Sequence, residues 1–97
     1  MIDNITKHKR ICAELTELYE RKNHDYGDSF SKTYRELGIV SAVTQIMHKH
    51  SRLVSLAVGG DQKVKGESIR DTLIDLANYA IMTIMELDAE EDKNDLS

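Results

Sequence analysis

Proline is absent from all 97 residues of this chain. Proline removes a helical hydrogen bond and clashes with the preceding turn, so only glycine and local polarity are left to end a helix. The five glycines stand at 27, 38, 59, 60 and 66, with long uninterrupted stretches between them. Apolar residues in those stretches recur every three to four positions, the period of a helix with one buried face. The chain reads as all-α.

The first helix is predicted over Asn4–Asn23, with Asp3 as its N-cap and Ile5, Ile11, Cys12, Leu15, Leu18 and Tyr19 as its buried stripe. His24–Ser29 reads as a loop in which Gly27 takes a positive φ. A short helix, Phe30–Leu37, ends at Gly38. The third spans Ile39–Val58, with Ile39, Val43, Ile46, Met47, His50, Leu53, Val54 and Ala57 as its core face. A turn at Gly59–Gln62 and a linker to Gly66 lead to the fourth, Glu67–Asp88. Three long helices and one short one, with short connections, predict a compact four-helix bundle. Residues 1–88 form this single domain, and residues 89–97 are an acidic tail too polar to pack, which frays.

The fourth helix carries a further expectation. Its first half is amphipathic, but Ala80, Ile81, Met82, Ile84, Met85 and Leu87 cover nearly its whole circumference. A helix apolar all round is buried all round, and a chain this short has too few elements to surround it. A homo-oligomer, dimer or higher, is expected through helix four, with Met82 and Met85 at or near the contact.

Charge narrows the partners. Residues 86–97 hold six acids and one base, a net of −5, which leaves 11 acids and 12 bases in residues 1–85, a net of +1. A near-neutral body has no field with which to release counterions from duplex nucleic acid. No apolar run reaches the about 18 residues of a membrane span, and a lone cysteine, Cys12, excludes an internal disulfide. The expected setting is cytoplasmic, in a bacterial or phage-infected cell.

Three polar constellations can carry chemistry. On helix four, Glu67, Asp71, Asp75 and Asn78 fall within an arc of about 80° at about 100° per residue. Their oxygens suit a hard cation such as Mg²⁺, and the row runs on into Met82, toward a surface that becomes buried. The plain alternative is a solvated face whose acids favour the helix N-terminus. On helix three, which contains no Asp or Glu, Gln45, Lys49 and Arg52 share a face opposite the apolar stripe, with His48 beside them. Lys and Arg one turn apart make a phosphate-sized anion site; equally, they can pair with the acids of helix four and only tie the bundle together. The third is the loop Lys22-Asn23-His24-Asp25-Tyr26-Gly27, where Tyr26 offers a ring to stack on a base and Asp25 an acceptor for a ribose. Glu14 and Glu17 are expected to form surface pairs with Arg10 and Arg21. Cys12 and His50 are read as core residues.

Lys22-Asn-x-Asp25-Tyr26-Gly27, Lys49-x-x-Arg52-Leu53 and Glu67-x-x-x-Asp71-Thr-Leu-x-Asp75-Leu-Ala-Asn78-Tyr79 together resemble the nucleotide modification associated domain 1 family, a small helical family common in bacteriophages. Through it the chain is more distantly similar to the all-α nucleoside triphosphate pyrophosphatases of the MazG type. That resemblance implies a MazG-like bundle, an oligomer and a nucleotide ligand. On this reading a nucleotide lies between helices three and four. Lys49 and Arg52, with His48, meet its phosphates. Asp25, Tyr26 and Asn78 orient sugar or base. Glu67, Asp71 and Asp75 hold Mg²⁺, and Asp71 and Asp75 are catalytic in a pyrophosphatase-type hydrolysis. MazG-type enzymes carry an E-x-x-E on the preceding helix, and helix three has no acid. A second reading follows: capture of a nucleotide or cyclic nucleotide without catalysis, as a phage anti-defence protein would do. A scaffold assembled through helix four is the third.

Overall fold

The computed structural model describes residues 1–24, 27–59 and 62–96, with the side chains of 1–24, 27–59 and 68–93. It forms four helices: α1 (Asn4–Lys22), α2 (Gly27–Leu37), α3 (Ile39–Val58) and α4 (Gln62–Leu96). No strand occurs among the described residues. At the start of α1 the Asp3 carboxylate accepts from Thr6 N at 2.7 Å. That amide bond holds the carboxyl below its ordinary pKa.

Gly27 departs from expectation. It is the first residue of α2, and Gly38 is the only described glycine with positive φ. Close approach explains Gly27 instead. A Cβ there would stand 2.8 Å from Tyr19 Cε2 and closer still to Asn23 Oδ1. Gly38, at φ 76°, closes α2 by donating to Tyr34 O at 2.7 Å. Its own carbonyl receives Ser41 N and the Ser41 hydroxyl at 3.0 and 2.8 Å. That turn starts α3 where the sequence predicts it.

α4 is longer than the predicted Glu67–Asp88, running from Gln62 to Leu96. Both extensions lack proline, and the second opens on Ala89, Glu90 and Glu91, which favour helix. The stretch read as a frayed tail therefore continues the helix. At about 1.5 Å per residue, its 35 residues span the 52 Å long axis of the molecule. The result is elongated where a compact bundle was expected: the radius of gyration is 15.7 Å, against about 13 Å for a compact domain of this size.

α3 and α4 form an antiparallel hairpin, the most extensive helix pair. Lys49 meets Asp75, and Ala42 shares a buried cluster with Met82. Each step forward on α3 is thus matched by one step back on α4. α2 packs across one end of this hairpin. α1 crosses α4 and does not run along it: Ile11 and Leu15 face Arg70–Ala77, and Leu18 and Lys22 face the overlapping stretch Asp71–Asp75.

The core is small. Among the described residues only Leu15, Phe30, Tyr34, Ala42 and Met82 are buried apolar groups, flanked by Tyr19 and Tyr79. The Phe30 and Tyr79 rings lie 5.8 Å apart, tilted by 32°. Met82, expected at a subunit contact, lies in this core, whereas Met85 is exposed. α3 is also turned from its predicted orientation. Ala42, Ile46, Lys49, Leu53 and Leu56 lie inward, while Ile39, Val43, Met47, His50, Val54 and Ala57 are exposed. Cys12 and Ile11 on α1 are likewise exposed, and Cys12 Sγ lies 3.6 Å from His8 Nδ1.

Two glycine substitutions separate the two roles. Gly38→Ala is expected to cost about 1–3 kcal/mol, because φ 76° with ψ −164° is a backbone region essentially confined to glycine. Gly27→Ala is expected to cost about 1–3 kcal/mol by overpacking, and Tyr19→Ala in the same chain should relieve part of the Gly27 penalty and none of the Gly38 one. Urea unfolding of the single and double variants checks both.

Candidate functional site

The polar row of α4 is exposed at Asp71 and turns inward at Asp75 and Asn78, toward Met82. Asp75 is half-buried, and its Oδ2 receives Lys49 Nζ at 3.0 Å. Asn78 is buried, and its Nδ2 donates to the Leu15 carbonyl at 3.2 Å. That bond ties α4 to α1, so Asn78, expected to orient a sugar or base, is a tie between helices. Tyr79 stands beside the Lys49–Asp75 pair. Burial raises its phenol pKa; Asp75 adds to the rise and Lys49 opposes it. Thr72 and Thr83, also buried, satisfy their hydroxyls on Ser68 O and Tyr79 O at 2.7 Å each.

A cleft of about 250 Å³ opens next to this row, walled by Leu18 and Lys22 of α1 and Asp71, Ile74 and Asp75 of α4. It lies between α1 and α4, where the expected site was between α3 and α4. Asp71 and Asp75 share its wall, one turn apart. Lys49 reaches the site from α3 only through Asp75, the tie that sequence reasoning held open as the alternative to phosphate binding. Arg52, one turn further along α3, is exposed and lies level with Thr72 in the hairpin register, outside the cleft's lining. His48 and Gln45 are exposed as well. Asp25 and Tyr26 lie outside the described residues, as does the side chain of Glu67. Lys22 is the cation this arrangement supplies. It heads the K-N-x-D-Y-G motif, and its place one turn after Leu18 was the signal available for it.

Asp71 and Asp75 are the described carboxylates that a resident Mg²⁺ would use. Such a site takes carboxylates, water and substrate phosphate in octahedral geometry. Among the described residues no group of three or more His, Cys, Asp or Glu side chains converges, and one of the two cleft carboxylates already holds an ammonium at 3.0 Å. Glu67, the third carboxylate expected in that set, has its side chain outside the described residues.

Two contacts escaped sequence reasoning. Glu14, predicted to pair with Arg10 along α1, instead takes a two-pronged contact from Arg70 of α4, with Nη2–Oε2 at 2.8 Å and Nη1–Oε1 at 3.2 Å. Glu17 and Arg21 do pair, loosely, at 3.9 Å. Tyr34 is buried beside Glu90 and Glu86 of the extended α4. Burial first, and then those two carboxylates, raise its pKa.

Comparison with known proteins adds to this geometry. The family model described as nucleotide modification associated domain 1 matches residues 22–87, more than half of the chain. The chain belongs to that family. No curated protein and no solved structure matches it. The family match opens at Lys22 and takes in every charged residue of the cleft, Lys22, Asp71 and Asp75. Among the described residues no helix is long and apolar enough to cross a membrane.

Two measurements test these assignments. Asn78→Ala is expected to cost about 1–3 kcal/mol in urea unfolding and to speed proteolysis within α1. Tyr34 and Tyr79 both titrate above their ordinary value of 10.0, so the folded chain keeps protons that the unfolded chain releases. Their contribution is complete below that pH and is lost as pH rises through the raised values. A series of unfolding curves above pH 10 should therefore show falling stability, with a shallower fall in the Tyr34→Phe, Tyr79→Phe double variant.

Proposed function

We propose that this chain recognises a nucleoside phosphate in the α1–α4 cleft. The observation that carries the reading is the meeting of Lys22 with Asp71 and Asp75 around one small cleft, in a chain whose family is described by its association with nucleotide modification. Lys22 takes the phosphate as a point charge. Asp71 accepts from sugar hydroxyls or base amines. Leu18 and Ile74 give an apolar wall for the sugar or the base face. Lys49 holds Asp75 in place and keeps the positive charge of the site from resting on Lys22 alone. The volume falls just below the about 300–1,000 Å³ of sites for drug-sized ligands, which suits the sugar-phosphate part of a nucleotide. Tyr26, four residues after Lys22, is the candidate for the base.

The paired carboxylates favour a second reading, hydrolysis of the bound nucleotide with Asp71 at the reacting group. Calorimetric titration with nucleoside mono-, di- and triphosphates and cyclic nucleotides, with Mg²⁺ or with EDTA, separates the two. Recognition alone predicts binding that survives EDTA and a ligand recovered unchanged, the behaviour of a sequestering protein. Hydrolysis predicts phosphate or pyrophosphate release that Asp71→Asn abolishes. In either case Lys22→Ala should weaken binding about tenfold or more, the loss of roughly one charge-assisted contact, while Arg35→Ala leaves it unchanged. No binding by any nucleotide would overturn both readings.

A further inference from the structure

α4 has two apolar faces, and this chain covers one of them. Met82 and Asn78 mark the covered face. On the opposite side Leu73, Ala77, Ala80, Ile84 and Leu87 follow one another at steps of four, three, four and three residues. That alternation is the seam of a two-helix coiled coil. Leu73, Ile84 and Leu87 are 48%, 56% and 44% exposed in the single chain, and Ala80 is exposed too.

We infer that a second copy of this chain covers the seam, with the two α4 helices antiparallel about Ala80. Two independent features set the direction. The first is charge. Residues 62–70 carry Lys63, Lys65 and Arg70 against Glu67, a net of +2, whereas residues 90–97, the stretch that a two-fold axis at Ala80 sets against them, carry four acids (Glu90, Glu91, Asp92, Asp95) and Lys93, a net of −3. Antiparallel pairing sets the basic end of each helix against the acidic end of the other; parallel pairing stacks acid on acid. The second is shape. A two-fold axis at Ala80 sets Leu73 against Leu87 of the second copy and Ala77 against its Ile84. Over Ala77 lies an apolar groove of about 200 Å³ between α1 and α4, walled by Ile11, Leu15, Leu73 and Ile74, with Arg70 at its end. Ile84 of the second copy is the knob for that hole. Its Asp88 and Glu91 then come level with Arg70, whose other side holds Glu14.

Site-directed cross-linking decides the register. In a Cys12→Ser background, Leu73→Cys and Leu87→Cys chains mixed under mild oxidation should give the mixed disulfide, while neither alone gives a self-disulfide. Sedimentation should show a dimer that Ile84→Glu weakens about tenfold or more, since a charge would then be buried unpaired. Circular dichroism should show unchanged helix content, because Ile84 is exposed in the single chain. A self-disulfide of Leu73→Cys alone would mean parallel pairing and overturn the inference. So would a chain that sediments as a monomer at micromolar concentration. A dimer that survives Ile84→Glu but dissociates with Val43→Glu would place the contact on the exposed stripe of α3 and overturn it as well. None of these outcomes depends on whether a nucleotide binds.

Discussion

The inward-facing polar row of α4 governs this fold. A half-buried carboxylate and a buried amide are costly unless each finds a partner, and here they find them on two different helices: Asp75 on Lys49 of α3, and Asn78 on the Leu15 carbonyl of α1. Those bonds decide which side of α3 can meet α4. A lysine near the middle of α3 would otherwise point to water. Because it must reach Asp75, α3 turns its small and mixed face inward, with Ala42 allowing close approach opposite Met82. The β-branched and methionine stripe of Val43, Met47 and Val54 is left outside. Polar satisfaction outranks burial of the most apolar stripe.

That outcome bears on stability. Burying one large aliphatic side chain contributes about 1.5–3 kcal/mol, and this chain buries few of them. Sixteen large apolar residues of the described chain are exposed, several in continuous stripes on α3 and α4, whereas scattered surface apolar residues are ordinary. An extended shape around a 52 Å axis offers long helix faces at the expense of a thick centre. Such faces are what the proposed second copy would cover.

How far the sequence discloses this structure depends on what each feature answers to. The Asp3 cap and the bounds of α3 answer to local chemistry, and both are where local chemistry puts them. The inward course of Asp75 and Asn78 is legible because the same arc ends in Met82, whereas Asp71, earlier on that arc, stays exposed. The facing of α3 is not, because periodicity identifies the most apolar side of a helix and not which side a neighbour covers. Lys49 is the residue on which that distinction turns. Gly27 is misread for a related reason: a glycine in a loop-like stretch suggests positive φ, whereas here it answers to the Tyr19 ring pressed against it. The Glu14–Arg70 pair was hidden because Arg10 stood at an equally good spacing within α1. The ends of α4 differ from expectation because a polar stretch is not by itself a stop signal: with no proline or glycine after Gly66, the helix runs past its last packed residue.

The cleft belongs to the same logic. Once Asn78 draws α1 across α4, Leu18 and Lys22 come over Asp71 and Asp75, and the candidate site moves from the α3–α4 side of α4 to its α1 side. The family match begins at Lys22, so the charged residues of the cleft fall inside it, while Leu18 and the Ile11–Leu15 wall of the neighbouring groove come from the part of α1 that precedes it. Within a single turn of α4, Asp71 lines the cleft, Thr72 is buried in the fold, and Leu73 stands on the face left open for a second chain. A helix turn is stiff, so displacement of one of these residues moves the other two. Residues of α1 line both the cleft and the neighbouring groove, so the proposed ligand site and the proposed self-association face share the same two helices.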